Sequence, residues 1–185
     1  KVISTKLSKI IPQKSYISLI LLGGYGRGEG GVLIENNDEM PHNNLDLMLL
    51  TQGLDNQESN TLQQTIENEL ESIGKEITEV QVDLSLMPAK KLQSASGLMI
   101  WYDMFNGHKT LLGDSNFLPS LKKFTLNSIP DWDARNLLIN RGALLIINDL
   151  ILETDNLTEE HKRLVIKHAI KAIIGYGDAL LYFRG

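Results

Sequence analysis

Apolar positions follow several rhythms along the chain, and each predicts a different element. Residues 18–22 are a short, almost wholly apolar run that glycines follow at once, which reads as a buried strand. Residues 45–50 form a second such run, entered through a polar loop over 35–44. Between 56 and 74 the spacing changes. Leu62, Ile66, Leu70 and Ile73 recur at three- and four-residue steps, which predicts a helix stopped by Gly74. Alternation then takes over with Ile77, Val80, Val82, Leu84 and Leu86 as the apolar members. The slip between Ile77 and Val80 predicts a bulge, or two strands joined there. From Val82 the period is two, which sets Asp83, Ser85 and Met87 on one face until Pro88 ends the strand.

The second half is patterned as helix. Residues 92–106 are compatible with one helix ending at Asn106-Gly107. Ser128-Ile129-Pro130-Asp131 opens a longer one through about Leu152, with the proline near its first turn. Asn156-Leu157-Thr158-Glu159 has the form of a capping box, after which Leu164, His168, Ile173 and Leu180 continue helically. Trp101 and Trp132 are expected as core anchors, and residues 107–113 as a connection beyond the sheet. The order strand, strand, helix, strand, helices predicts an α/β domain with a small mixed sheet over 1–115. A helical part follows over 116–185.

Composition narrows the class. The chain has 185 residues, of which 42% are hydrophobic and 22% charged, enough for a continuous core and unlike a disordered or collagen-like chain. Its net charge of −5 gives no global positive field for nucleic acid. Without cysteine there is no disulfide, thiolate zinc site or cysteine nucleophile, which fits a cytoplasmic setting. The longest apolar runs, 17–22 and 143–147, are far shorter than a membrane span. From a lysine start and an apolar, helix-like end at 180–185, the chain is expected to be a piece of something longer, with the helical part truncated.

The densest chemical signal is Gly23-Gly24-Tyr25-Gly26-Arg27-Gly28-Glu29-Gly30-Gly31. Such a run lets backbone N–H groups close around an anion, whereas a simple turn needs only one or two glycines. Residues 26–31 also match G-x-G-x-x-G with Asp46 twenty positions on, the spacing of a dinucleotide fingerprint and hence of an oxidoreductase. That fingerprint needs a helix directly after the glycines, and the turn-forming, proline-containing segment 34–41 stands there instead. No Gly-Lys-Ser/Thr ends the run as a P-loop would.

An apolar strand, Gly23-Gly24, Arg27-Gly28, the strand Asn44-Leu45-Asp46-Leu47 and a later strand acid, Asp83, form an ordered set over residues 16–90. This set resembles the nucleotidyltransferase superfamily of the polymerase-beta type. The resemblance implies transfer of a nucleoside monophosphate from an NTP to a hydroxyl or phosphate acceptor, with release of pyrophosphate. It implies Mg²⁺ or Mn²⁺ held by Asn44, Asp46 and Asp83, with Asp46 and Asp83 catalytic and Gly23, Gly24 and Arg27 on the phosphates. Basic residues of a helical domain would close on the triphosphate, which makes Lys167 and Lys171, one turn apart, candidates beside a plain solvated helix face. The acceptor would be a small molecule, a protein or an RNA end.

Positions 44 and 46 share a strand face, so oxygen ligands there can converge on a hard cation. The family pattern has an acid where this chain has Asn44, and an amide brings no negative charge. A reduced but working site, a nucleotide-binding or regulatory module that has lost transfer, and an engineered change all fit that residue. Arg27 can contact phosphate or pair with Glu29, and Tyr25 can stack on a base or pack over the loop. Arg135 and Arg141 are weaker candidates for phosphate than for a solvated face. His42, His108, His161 and His168 show no metal-ligand spacing.

Overall fold

The computed structural model describes residues 2–35, 38–41, 43–77 and 80–185. The fold is mixed α/β: a small mixed sheet, flanking helices and a helical C-terminal part. The strands are β1 (Tyr16–Leu21), β2 (Val32–Glu35), β3 (Asp38–Pro41), β4 (Leu45–Thr51), β5 (Val82–Pro88) and β6 (Lys109–Gly113). The helices are α1 (Val2–Ile10), α2 (Gly23–Arg27), α3 (Asn56–Ile77), α4 (Ala89–Ser94), α5 (Met99–Asn106), α6 (Phe117–Ser120), α7 (Asp131–Leu152) and α8 (Glu159–Arg184). Two compact units divide them: Lys1–Ser96 with Ile100–Phe124, and Gly97–Met99 with Thr125–Gly185.

The first unit is built on a four-stranded sheet of order β5-β4-β1-β6. β4 and β5 are parallel across the helix α3, while β1 runs antiparallel to β4 and β6. Strand alternation sorts the apolar side chains onto two faces. On one, Leu19, Leu47 and Leu49 pack against Leu7 of α1 and Ile66, Leu70 and Ile73 of α3. On the other, Ile20, Met48 and Leu50 meet Leu92 of α4, Met104 of α5, Leu118 of α6 and Phe124. Because both faces are covered, the strands read as continuous apolar runs rather than as clean alternation.

Several sequence expectations change here. Residues 109–113 are not a connection but the edge strand β6, held by pairing with β1. Within the polar segment 35–44 lies a strand, β3, which pairs antiparallel with the preceding β2 as a separate two-stranded sheet. Gly74 does not stop α3, which continues to Ile77. A Cβ at Gly74 would lie 2.8 Å from the Val80 carbonyl oxygen, so that position is small to let the returning chain approach. The proposed bulge after Ile77 dissolves because Ile77 ends a helix and the alternation begins in β5; residues 78 and 79 lie outside the described residues. The single helix expected over 92–106 is two, α4 and α5, broken where Ala95 turns extended.

In the second unit α7 and α8 pair along a narrow seam of Ala134, Asn148, Ala172, Gly175 and Ala179. Small residues let the two backbones approach, and Asn148 is satisfied there. Its Nδ2 donates to the Val165 carbonyl at 2.9 Å, and its Oδ1 lies 2.8 Å from His168 Nδ1. An amide oxygen only accepts, so that ring nitrogen carries the proton. Thr158 caps α8 reciprocally with His161, two residues beyond the capping box expected at Asn156. Tyr182 donates to the Ile129 carbonyl at 2.6 Å and lies 3.1 Å from Asp131 Oδ1. Burial, then the Asp131 hydrogen bond and charge, raises its phenol above the ordinary tyrosine range. Trp132 is no core anchor: it is 55% exposed. Among the described residues no helix is long and apolar enough to cross a membrane.

Candidate functional site

The parallel register of β4 and β5 sets Asp46 opposite Asp83, Met48 opposite Ser85 and Leu50 opposite Met87. Met48, Leu50 and Met87 face the core covered by α4, α5 and α6. The alternation that buries them therefore brings Asp46 and Asp83 to the same face, at the starts of the two strands. There the core gives way to a cavity of about 400 Å³, on whose wall both acids lie with Gly23, Arg27, Trp101 and Asp103.

β1 delivers the glycine run to this point. The Leu22 N–H donates to the Asp46 carbonyl at 2.8 Å, which ties the strand exit to β4. Gly23 then takes φ +62°, a left-handed backbone that side chains disfavour. A Cβ there would also sit 3.0 Å from Asp46 Oδ2, so glycine brings the backbone directly beside the carboxylate. Gly23 opens the single turn α2. Gly24 lies inside that turn, its carbonyl accepting the Glu29 N–H at 2.7 Å, and is not on the cavity wall. Tyr25 packs over the loop: its ring covers Gly30 and its hydroxyl donates to the Gly31 carbonyl at 2.7 Å. Arg27 pairs with Glu29 at 2.8 Å, with both side chains substantially exposed. The glycine run leads into the hairpin strand β2 rather than into a helix, unlike a dinucleotide-binding βαβ unit.

Asn44 precedes β4 and reaches across both acids. Its Nδ2 donates to Asp46 Oδ1 at 3.0 Å and to Asp83 Oδ2 at 2.9 Å. Gln81 Nε2 donates to the remaining oxygen of Asp83, Oδ1, at 2.7 Å. Two carboxylate oxygens from different strands thus converge on a single atom. That convergence fits a hard divalent cation, which takes carboxylate and amide oxygens as ligands.

Of the residues singled out in the sequence, Gly23, Arg27, Asn44, Asp46 and Asp83 come together in the first unit. Lys167 and Lys171 lie on α8 in the second unit, both exposed and one turn apart, and Arg135 and Arg141 lie on α7. His108 Nδ1 lies 2.8 Å from the Met104 carbonyl, while His161 caps α8 and His168 lines the seam. His42 lies outside the described residues. Sequence reasoning gave Gln81 no role and Asp103 no chemistry, and took Trp101 as a core anchor, which does pack against the core beside the cavity. Gln81 carried a signal, since it stands two residues before Asp83. Trp101 and Asp103 carried none, because only the packing of α5 brings them to the cavity.

No family model and no curated protein matches this chain. Two solved structures resemble it. One is a toxin-antitoxin with AMP-PNP, 22% identical over 80% of this chain and 94% of that chain, with a TM-score of 0.37. The other is a mutant of the toxin-antitoxin MntA-HpeT, 20% identical over 80% of this chain and 98% of that chain, with a TM-score of 0.34. Both likenesses are too distant to speak to function.

Proposed function

We propose that the first unit binds a nucleoside triphosphate through Asp46, Asp83 and the glycine turn, and transfers its nucleoside monophosphate to an acceptor hydroxyl or phosphate. The observation that carries this reading is the convergence of the two strand carboxylates beside Gly23, on the wall of a cavity large enough for part of a nucleotide. Asp46, Asp83 and a rotated Asn44 would hold Mg²⁺ or Mn²⁺. Such an ion supplies charge neutralisation for the triphosphate and its pyrophosphate leaving group.

The chain's own residues do the rest. Gly23 leaves room for a phosphate to approach the backbone. Arg27 can exchange its exposed partner Glu29 for a phosphate, since such surface pairs are worth little. Asp83, held at Oδ1 by Gln81, is oriented to take a proton from an acceptor hydroxyl that enters the cavity. Lys167 and Lys171 are proposed for the triphosphate, and alanine at both would lower NTP affinity without changing the circular dichroism spectrum.

A second reading, nucleotide binding without transfer, is favoured by one observation: Asn44 already satisfies both acids with hydrogen bonds. Calorimetric titration of the four NTPs, with Mn²⁺ and with chelator, tests the shared part. Cation-dependent binding supports a transferase and justifies an acceptor search. Cation-indifferent binding supports the second reading, and no binding by the folded protein rejects both.

A further inference from the structure

Asp46 and Asp83 face each other in register on neighbouring strands, an arrangement in which two negative charges repel unless something stands between them. What stands between them is the side-chain amide of Asn44. Ionised carboxylates only accept hydrogen bonds, so only the NH₂ edge of the amide can face both. Its two N–H groups are fully used, one on each acid. Gln81 adds a third neutral donor on the far oxygen of Asp83. Donor hydrogen bonds of this kind offset the repulsion between the opposed carboxylates.

We infer that Asn44 is a positioning residue, a built-in substitute for the cation. It clasps Asp46 and Asp83 in the cation-free protein and must turn its amide oxygen inward before a divalent ion can enter. Clasp and ion are mutually exclusive, because the NH₂ edge that holds the acids would face a positive charge. Cation affinity is therefore set low at a single position, and the cation-free site stays assembled. The inference rests on the reading of the two acids as the ion's ligands, but not on nucleotide transfer.

The test uses the whole chain without nucleotide. Thermal melts in chelator and in Mn²⁺ are compared for the unmodified protein, Asn44→Asp and Asn44→Ala, with calorimetry of Mn²⁺ itself. The clasp predicts that the unmodified protein melts at nearly the same temperature in both buffers. Asn44→Asp should melt lower in chelator, where three carboxylates repel, and recover in Mn²⁺. Its Mn²⁺ affinity should be tighter by about tenfold or more, since affinity follows ligand charge. A residue with a purely structural role would not make the melting temperature cation-dependent in this way. The inference is overturned if the unmodified protein binds Mn²⁺ as tightly as Asn44→Asp, or if Asn44→Asp is as stable as the unmodified protein in chelator. Should Asn44→Asp fail to fold in either buffer, Asn44→Ala decides: a lower melting temperature in chelator supports the clasp, and an unchanged one rejects it. Loss of NTP binding with an intact cation result would reject the transferase reading and leave the clasp standing.

Discussion

The sheet unit covers both faces of its sheet, whereas the helical unit buries one seam and leaves much of its apolar surface in solvent. Leu19, Leu49, Ile66 and Leu70 are almost completely buried in the first. In the second, Ile139, Ile173 and Leu181 are each at least 70% exposed. The contrast teaches where a polar residue carries information. Against a sealed sheet, Asp46 and Asp83 stand out as charges at the starts of otherwise apolar strands. On α7 and α8, apolar and charged residues are mixed around the helices, so Lys167 or Arg135 is not distinguished by position.

The largest effect should come from trading a core position against an exposed one. Leu49→Ala removes a fully buried side chain between α3 and the sheet and should cost ~2–5 kcal/mol. Ile173→Ala, at a position 73% exposed, should stay within ~0.5 kcal/mol. Urea unfolding measures both, and a cost at Ile173 comparable to that at Leu49 would break the contrast. Next comes the polar centre of the helical seam. Asn148→Ala leaves the His168 ring N–H without its partner and removes a second bond to the Val165 carbonyl, and should cost about 1–3 kcal/mol, read as loss of helical ellipticity at a lower temperature.

Gly23→Ala sharpens the comparison from the site's side. The left-handed backbone and the nearby Asp46 carboxylate should cost ~1–2 kcal/mol and displace the acid, so NTP affinity falls while the seam of α7 and α8 is untouched. The smallest effect is at Tyr182. Its phenol is raised in the folded protein, so its contribution to stability is complete below the ordinary tyrosine range. That contribution disappears as pH rises through the higher folded value. Ultraviolet titration should show one tyrosine ionising late, and Tyr182→Phe should remove that step.

The same contrast explains what the sequence revealed. β1 and β4 were legible as continuous apolar runs, α3 because burial imposes a helical period on it, and α7 from the proline at its start. α2 was not, since a glycine-rich turn has no helix propensity of its own and is set by its neighbours. β6 was missed because a five-residue edge strand is defined by pairing with β1 rather than by its own pattern. In the hairpin, Val32, Leu33 and Ile34 are all at least half exposed, so no buried face writes an alternation there. Trp132 misled because large aromatic residues are usually buried. At the site, the acids were visible as charges in apolar strands. The bridging of both by one amide was not, because Asn44 and Asp83 are brought together only by strand pairing.

The proposed function stands on nucleotide sitting at Asp46 and Asp83 beside the glycine turn. The most direct measurement is a ¹H–¹⁵N spectrum of the labelled chain titrated with an NTP and then with trace Mn²⁺, whose unpaired electrons broaden nearby signals. Shifts and then broadening are expected at the Gly23 and Asp46 amides and the Trp101 indole, with the broadening reduced in Asp83→Asn. Nucleotide binding that leaves those three signals unmoved, or no binding by a folded sample, would contradict it.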